Sequence, residues 1–123
     1  MSEETLPMSE ETLFTKIING DIPAERIYED EVCICIKDIS PQAPTHVLLI
    51  PRKPIPRLAD ATAEDQVILG HLMVKAGEIA RLLGVDEAFR LVVNNGADAG
   101  QTVFHLHLHI LGNKTFSEQG LGL

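Results

Sequence analysis

Apolar and polar positions repeat with two periods along this chain, and the change of period marks its elements. Val32, Ile34 and Ile36 alternate with Cys33, Cys35 and Lys37, the two-residue period of a strand. A shorter strand over 26 to 30 precedes it, turning around Glu29-Asp30-Glu31. His46 to Ile50 is a mostly apolar strand stopped by Pro51, Pro54 and Pro56, and the loop 38 to 44 is marked by its prolines and serine. Ile68, Leu72, Ala76, Ile79 and Leu83 recur at helical spacing, predicting a long helix over about 63 to 83. Thr62 with Asp65 resembles a capping box with a shorter acid, and Gly84 is the expected terminator. His71, beside the apolar stripe, reads as a structural or surface histidine.

Phe89 to Val93 and 103 to 111 are the remaining strands, separated by a glycine-bounded turn over 94 to 100. Near the start, Ser9 is the expected cap of a short helix, with Glu10 and Glu11 in its first turn. That helix ends near Asn19, with Gly20 as its left-handed stop, and Ile22-Pro23 breaks it. One long and one short helix among five strands joined by short links imply an α+β fold built on an antiparallel sheet.

The chain has 123 residues, enough for one domain, expected over 9 to 123, with residues 1 to 8 a disordered extension. That extension reads Met-Ser-Glu-Glu-Thr-Leu, and the same six residues recur at 8 to 13. It is acidic and lacks a signal-peptide core, so a cytoplasmic location is expected. No apolar run approaches the ~18 residues that span a bilayer. Net charge is −8, which argues against a nucleic-acid groove but leaves room for a small anionic ligand held by backbone amides and imidazoles. Cys33 and Cys35 fall on one face of a strand roughly 6.6 Å apart, a poor span for a disulfide, and read as packed thiols.

The last strand carries the chemistry. In Val103-Phe-His-Leu-His-Leu-His-Ile-Leu111 the apolar Phe104, Leu106, Leu108 and Ile110 take one face. His105, His107 and His109 take the other, their rings roughly 6.6–6.8 Å apart. Three readings stand. The strand is half exposed with incidental histidines; or His-x-His holds a metal; or imidazole itself does covalent acid–base chemistry, one ring attacking phosphorus while neighbours supply protons and offset charge. No carboxylate close in sequence orients these rings as metal-bound histidines require. Asn94, Gly100, Gln101 and Thr102 place amide and hydroxyl donors in the turn that leads into the histidines, which favours the third reading.

These residues resemble the histidine-triad (HIT) family, and within it the Hint branch. The likeness rests on His105-Leu-His-Leu-His-Ile-Leu111, and on Leu13-Phe-Thr-Lys-Ile-Ile18 with Ile22-Pro23-Ala24. It extends through Asp38-Ile-Ser-Pro-Gln-Ala-Pro-Thr-His46, Gly70-His-Leu-Met73, and Val92-Val93-Asn94 to Gly100-Gln101-Thr102.

The resemblance implies a five-stranded antiparallel sheet, a homodimer, and hydrolysis of purine nucleoside phosphoramidates through a covalent nucleotidyl-histidine. It implies no metal and no cofactor. By the same resemblance His107 is the nucleophile, His109 contacts phosphate oxygens, and His46 and His105 complete the imidazole network. Asp38 would bind the ribose hydroxyls. Asn94, Gly100, Gln101 and Thr102 would line the phosphate and leaving-group side. Phe14, Ile17, Ile22 and Ile39 would form the slot for the base. Histidine at 109, rather than glutamine, points to water as the final acceptor. A purine nucleotide-binding module without turnover is the rival from another class. The segment 113 to 123 lacks the tryptophan usual in Hint tails, and Thr102 stands where many Hint proteins carry serine.

Overall fold

The computed structural model describes residues 11–119. Five strands form one sheet in the order β1-β2-β3-β5-β4: β1 is Arg26–Glu29, β2 Cys33–Lys37, β3 Thr45–Pro51, β4 Phe89–Val92 and β5 Leu108–Gly112. Every neighbouring pair is antiparallel. A short helix, α1 (Leu13–Ile18), and a long one, α2 (Gln66–Leu82), complete the fold.

The alternation in β2 and β3 sends side chains to two separate cores. Cys33, Cys35, Val47 and Leu49 join Leu72, Ala76 and Ile79 of α2, together with Leu108 and Ile110 of β5. Ile34, Ile36, Leu48 and Ile50 pack instead against Phe14 and Ile17 of α1. Each Leu or Ile so buried contributes roughly 2 kcal/mol of transfer free energy. Both thiols are free and buried, and burial pushes each up to about 12.

α2 begins as expected. Thr62 Oγ1 accepts from the Glu64 amide and Asp65 Oδ2 accepts from the Thr62 amide, and a single 3-10 turn over Ala63–Asp65 leads into the helix. Gly84 follows the helix in the left-handed region, φ +75°. At the end of β5 the sheet needs glycine for space, because a Cβ on Gly112 would lie 2.7 Å from Val85 Cγ1.

Two expectations change. The short helix starts at Leu13 and is capped by Thr12, whose side chain accepts from the Thr15 amide. Glu11 precedes the helix, while Ser9, Glu10 and the proposed extension lie outside the described residues. The last strand begins at Leu108, not at 103. A strand needs ladder partners, and β3 and β4 reach only residues 108 to 112. Within the 103 to 107 stretch the Leu106 amide donates instead to the Ile55 carbonyl, in the segment after β3, at 2.7 Å.

Candidate active site

Register brings the histidines together on the α1 side of the sheet. His109 of β5 pairs with Leu48 of β3, so His46, two residues earlier on β3, is its diagonal neighbour. Their rings meet, with His46 Nε2 2.9 Å from His109 Nδ1. His107 lies on the other side of His109, its ring centroid 5.1 Å away. Phe14 of α1 stands edge-on to His107 at 4.9 Å and to His105 at 6.2 Å. α1 is itself held by Arg26, whose Nη2 donates to the Ile17 carbonyl at 2.7 Å.

Backbone partners set the proton positions on three of the rings and, through His46, on the fourth, since a carbonyl can only accept and an amide can only donate. His107 Nδ1 lies 2.8 Å from the His105 carbonyl and therefore carries the proton, leaving a lone pair on Nε2. His105 Nε2 donates to the Pro51 carbonyl at 2.7 Å, leaving a buried Nδ1 lone pair without a partner among the described residues. His46 Nδ1 accepts from the Gln42 amide at 3.0 Å, so its Nε2 carries the hydrogen and donates to His109 Nδ1. His109 in turn keeps its proton on Nε2. The result is one imidazole with a bare Nε2 beside another that presents an Nε2–H.

Burial is the leading cause that lowers all four histidines from the ordinary 6.5. His109 falls to about 4, chiefly by burial and further because positive charge on His107 or His46 would oppose its own; Asp38 pulls the other way. All four are neutral at pH 7, which keeps the His107 lone pair free. A neutral imidazole nucleophile next to an N–H donor is suited to a displacement that passes through a covalent imidazole intermediate.

Asp38 follows β2 and returns to the histidines. Its amide donates to the His46 carbonyl, its Oδ1 accepts from the Ser40 amide at 2.7 Å, and its Oδ2 lies 3.3 Å from His46 Nε2. No carboxylate lies close to the His105–His109 rings in sequence; the loop 38 to 44 folds one back onto them. Asp38, His46 and His109 lie within metal-ligating distance of one another. The tautomers argue against an ion there: a ring ligating through Nε2 carries its proton on Nδ1, where His46 meets the Gln42 N–H.

The other predicted site residues divide. Phe14 and Ile17 are buried in the α1 core, with Ile22 packed at its margin. Ile39 is 95% exposed. Gln101 is buried: its Oε1 accepts from the Gly96 amide, and its Nε2 donates to the Pro56 and Val103 carbonyls. Its side chain is thus committed to holding the 96 to 103 loop. Gly100 takes φ +99°, and a Cβ there would meet Asn94 Nδ2 at 3.7 Å. Thr102 is exposed. Sequence reasoning missed the Gln42 amide and the Pro51 carbonyl, because backbone groups leave no trace in residue type.

The HIT domain profile matches residues 19–116. An uncharacterized HIT-like protein of Synechocystis sp. is 61% identical over 110 residues, 89% of this chain and 96% of its own. A HIT family hydrolase from Clostridium thermocellum has the same fold, with a TM-score of 0.87 and 42% identity across 91% of this chain and 98% of its own. Another, from Legionella pneumophila, gives 0.85 and 39%, across 88% and 97%. The histidine cluster, the sheet that carries it and these likenesses agree: this chain belongs to the HIT family.

Proposed function

We propose that this chain is a Hint-type hydrolase that cleaves purine nucleoside phosphoramidates at the α-phosphorus, with His107 as the nucleophile. One observation carries the reading: the rings of His107 and His109 are adjacent, and their hydrogen bonds hold them in opposite tautomers. Nε2 of His107 attacks phosphorus while the P–N bond breaks. The anionic substrate draws one proton into the histidine network as it binds, and the departing amine carries that proton away. Water then displaces the nucleotidyl group from His107, and its proton replaces the one lost.

In this reading His109 Nε2–H donates to a phosphoryl oxygen and His46 holds His109 in the donating tautomer. Asp38 accepts the ribose hydroxyls, which leaves the His46 Nε2–H wholly to His109. Phe14, Ile17, Ile22 and Ile39 face the base, and the loop through Asn94, Gly100, Gln101 and Thr102 borders the leaving group. The two HIT family hydrolases that share the fold support the reaction class.

Steady-state hydrolysis of adenosine 5′-phosphoramidate, with His107→Ala alongside, tests the proposal. AMP release by the wild type and a loss of about 10⁴-fold in the variant is the expected result. Equal release by both, or nucleotide binding without release by either, overturns it.

We also propose the homodimer implied by the resemblance. The outward side of α2 exposes Val67, Met73, Val74 and Leu82, with open space over Gly70 and Gly77, and β4 is a sheet edge unpaired among the described residues. Sedimentation of the wild type as a monomer at micromolar concentration would contradict this.

A further inference from the structure

On the opposite side of the sheet from the histidine cluster, three side chains of different chemistry meet. Asp30 lies in the turn between β1 and β2, Cys33 opens β2, and His71 belongs to α2. One carboxylate oxygen, Cys33 Sγ and one ring nitrogen of His71 all lie within 4.8 Å of one another. We propose that Asp30, Cys33 and His71 form a zinc site that ties α2 to the β1–β2 turn.

The set is chemically coherent. Thiolate, imidazole and carboxylate are the three protein ligand types that zinc takes, and three of them with a water complete a tetrahedron. Thiolate with imidazole selects zinc over calcium or magnesium, which take oxygen ligands. One carboxylate and one thiolate also balance the charge of a divalent ion. Tetrahedral zinc with these ligands needs donor separations of about 3.3–3.7 Å, which modest side-chain rotations reach from the present arrangement.

The surroundings orient the ligands. Asp30 Oδ1 accepts from the Val32 and Cys33 amides at 2.8 and 2.9 Å, so the carboxylate is fixed whether or not an ion is present. Such outer hydrogen bonds hold metal ligands in place. Asp30 Oδ2 faces His71 Nε2 at 2.7 Å and accepts from the Tyr28 hydroxyl at 2.8 Å. Zinc would take the place of the proton shared by Asp30 and His71. No bond to His71 Nδ1 is seen among the described residues, so that nitrogen is free to receive the displaced proton, the step that Gln42 forbids at His46. Binding therefore releases one proton, from the Cys33 thiol, and moves another within the His71 ring.

Two cations stand nearby, and each has its own anion. Arg52 donates to the Asp30 carbonyl and pairs with Glu29, while Lys75 pairs with Glu78. Cys33 is fully buried, whereas Asp30 and His71 reach the surface, which gives the ion a path in. The rival is a purely structural hydrogen-bonded knot, the same contacts with a proton in place of the ion.

Cobalt substitution separates the two, because only a site containing Cys33 can give a thiolate-to-cobalt band. Cobalt(II) is titrated into the metal-free full-length chain and displaced with zinc. The expected result is a near-ultraviolet charge-transfer band with visible bands of tetrahedral strength, saturating at one ion per chain. Cys33→Ser should abolish the charge-transfer band, and His71→Gln should weaken zinc binding by more than about 100-fold. Circular dichroism checks that both variants remain folded. Cys35→Ser and His107→Ala should leave the band unchanged, so the result does not depend on the proposed hydrolase. A folded wild type that shows no band, or a band that survives Cys33→Ser, overturns the site.

Discussion

The two faces of the sheet use the same alternation for different ends. Toward α2, β2, β3 and β5 present Cys33, Cys35, Val47, Leu49, Leu108 and Ile110, all buried and apolar under a helix of 17 residues. Toward α1, the same strands present Ile34, Ile36, Leu48 and Ile50, but also His46 and His109, under a helix of only six residues. The thick cover supplies most of the buried apolar contact. The thin cover leaves imidazoles close to solvent while keeping them dry enough to stay neutral. Stability and chemistry are thus divided by strand parity, which makes the division testable.

The largest expected effect is on the α2 side. Ile79→Ala leaves a cavity in a nearly inaccessible position and should cost about 2–5 kcal/mol in urea unfolding. Turnover per folded molecule should stay near wild type. A variant that lost activity while keeping its stability would erase the distinction between the faces.

On the α1 side the pattern should reverse. His46→Ala removes the donor that fixes the His109 tautomer and should lower kcat on adenosine 5′-phosphoramidate about 100-fold. Its unfolding free energy should change by about 1 kcal/mol, near the worth of one hydrogen bond. An unaltered kcat would show that the His46–His109 bond is only structural.

A smaller effect is a slope in pH. The folded state holds His109 at about 4 against an ordinary 6.5, so between those values the unfolded chain binds a proton that the folded chain refuses. Stability therefore falls as pH drops through that window and is restored as pH rises. Asp30, held well below the usual carboxylate range, adds a slope of the same sign only toward the acid end of the window, where the unfolded carboxyl begins to take up its proton. Urea midpoints across the window should decline for the wild type and less steeply for His109→Gln. Equal slopes would place the titration elsewhere.

Much of this arrangement is legible in the residues. Val32 to Lys37 declares a strand by its period, and Thr62 with Asp65 declares the start of α2, because both signals are local. The run 103 to 111 misleads for the same reason. Its alternation is continuous, but alternation does not supply a partner strand, and only 108 to 112 find one. The nearness of Asp38 to His46 depends on how the loop 38 to 44 closes, a long-range fact. Gln101 shows the limit for the site: a polar residue before the triad reads as a ligand donor, yet its amide is engaged by the loop it stabilises.

The central claim is the opposition of tautomers, and nitrogen-15 NMR of the histidine side chains tests it most directly. At pH 7, long-range proton–nitrogen correlations should show His107 neutral with its proton on Nδ1. His46, His105 and His109 should be neutral with theirs on Nε2. A His107 that carries its proton on Nε2, or is cationic at that pH, would leave no lone pair to attack and would contradict the account.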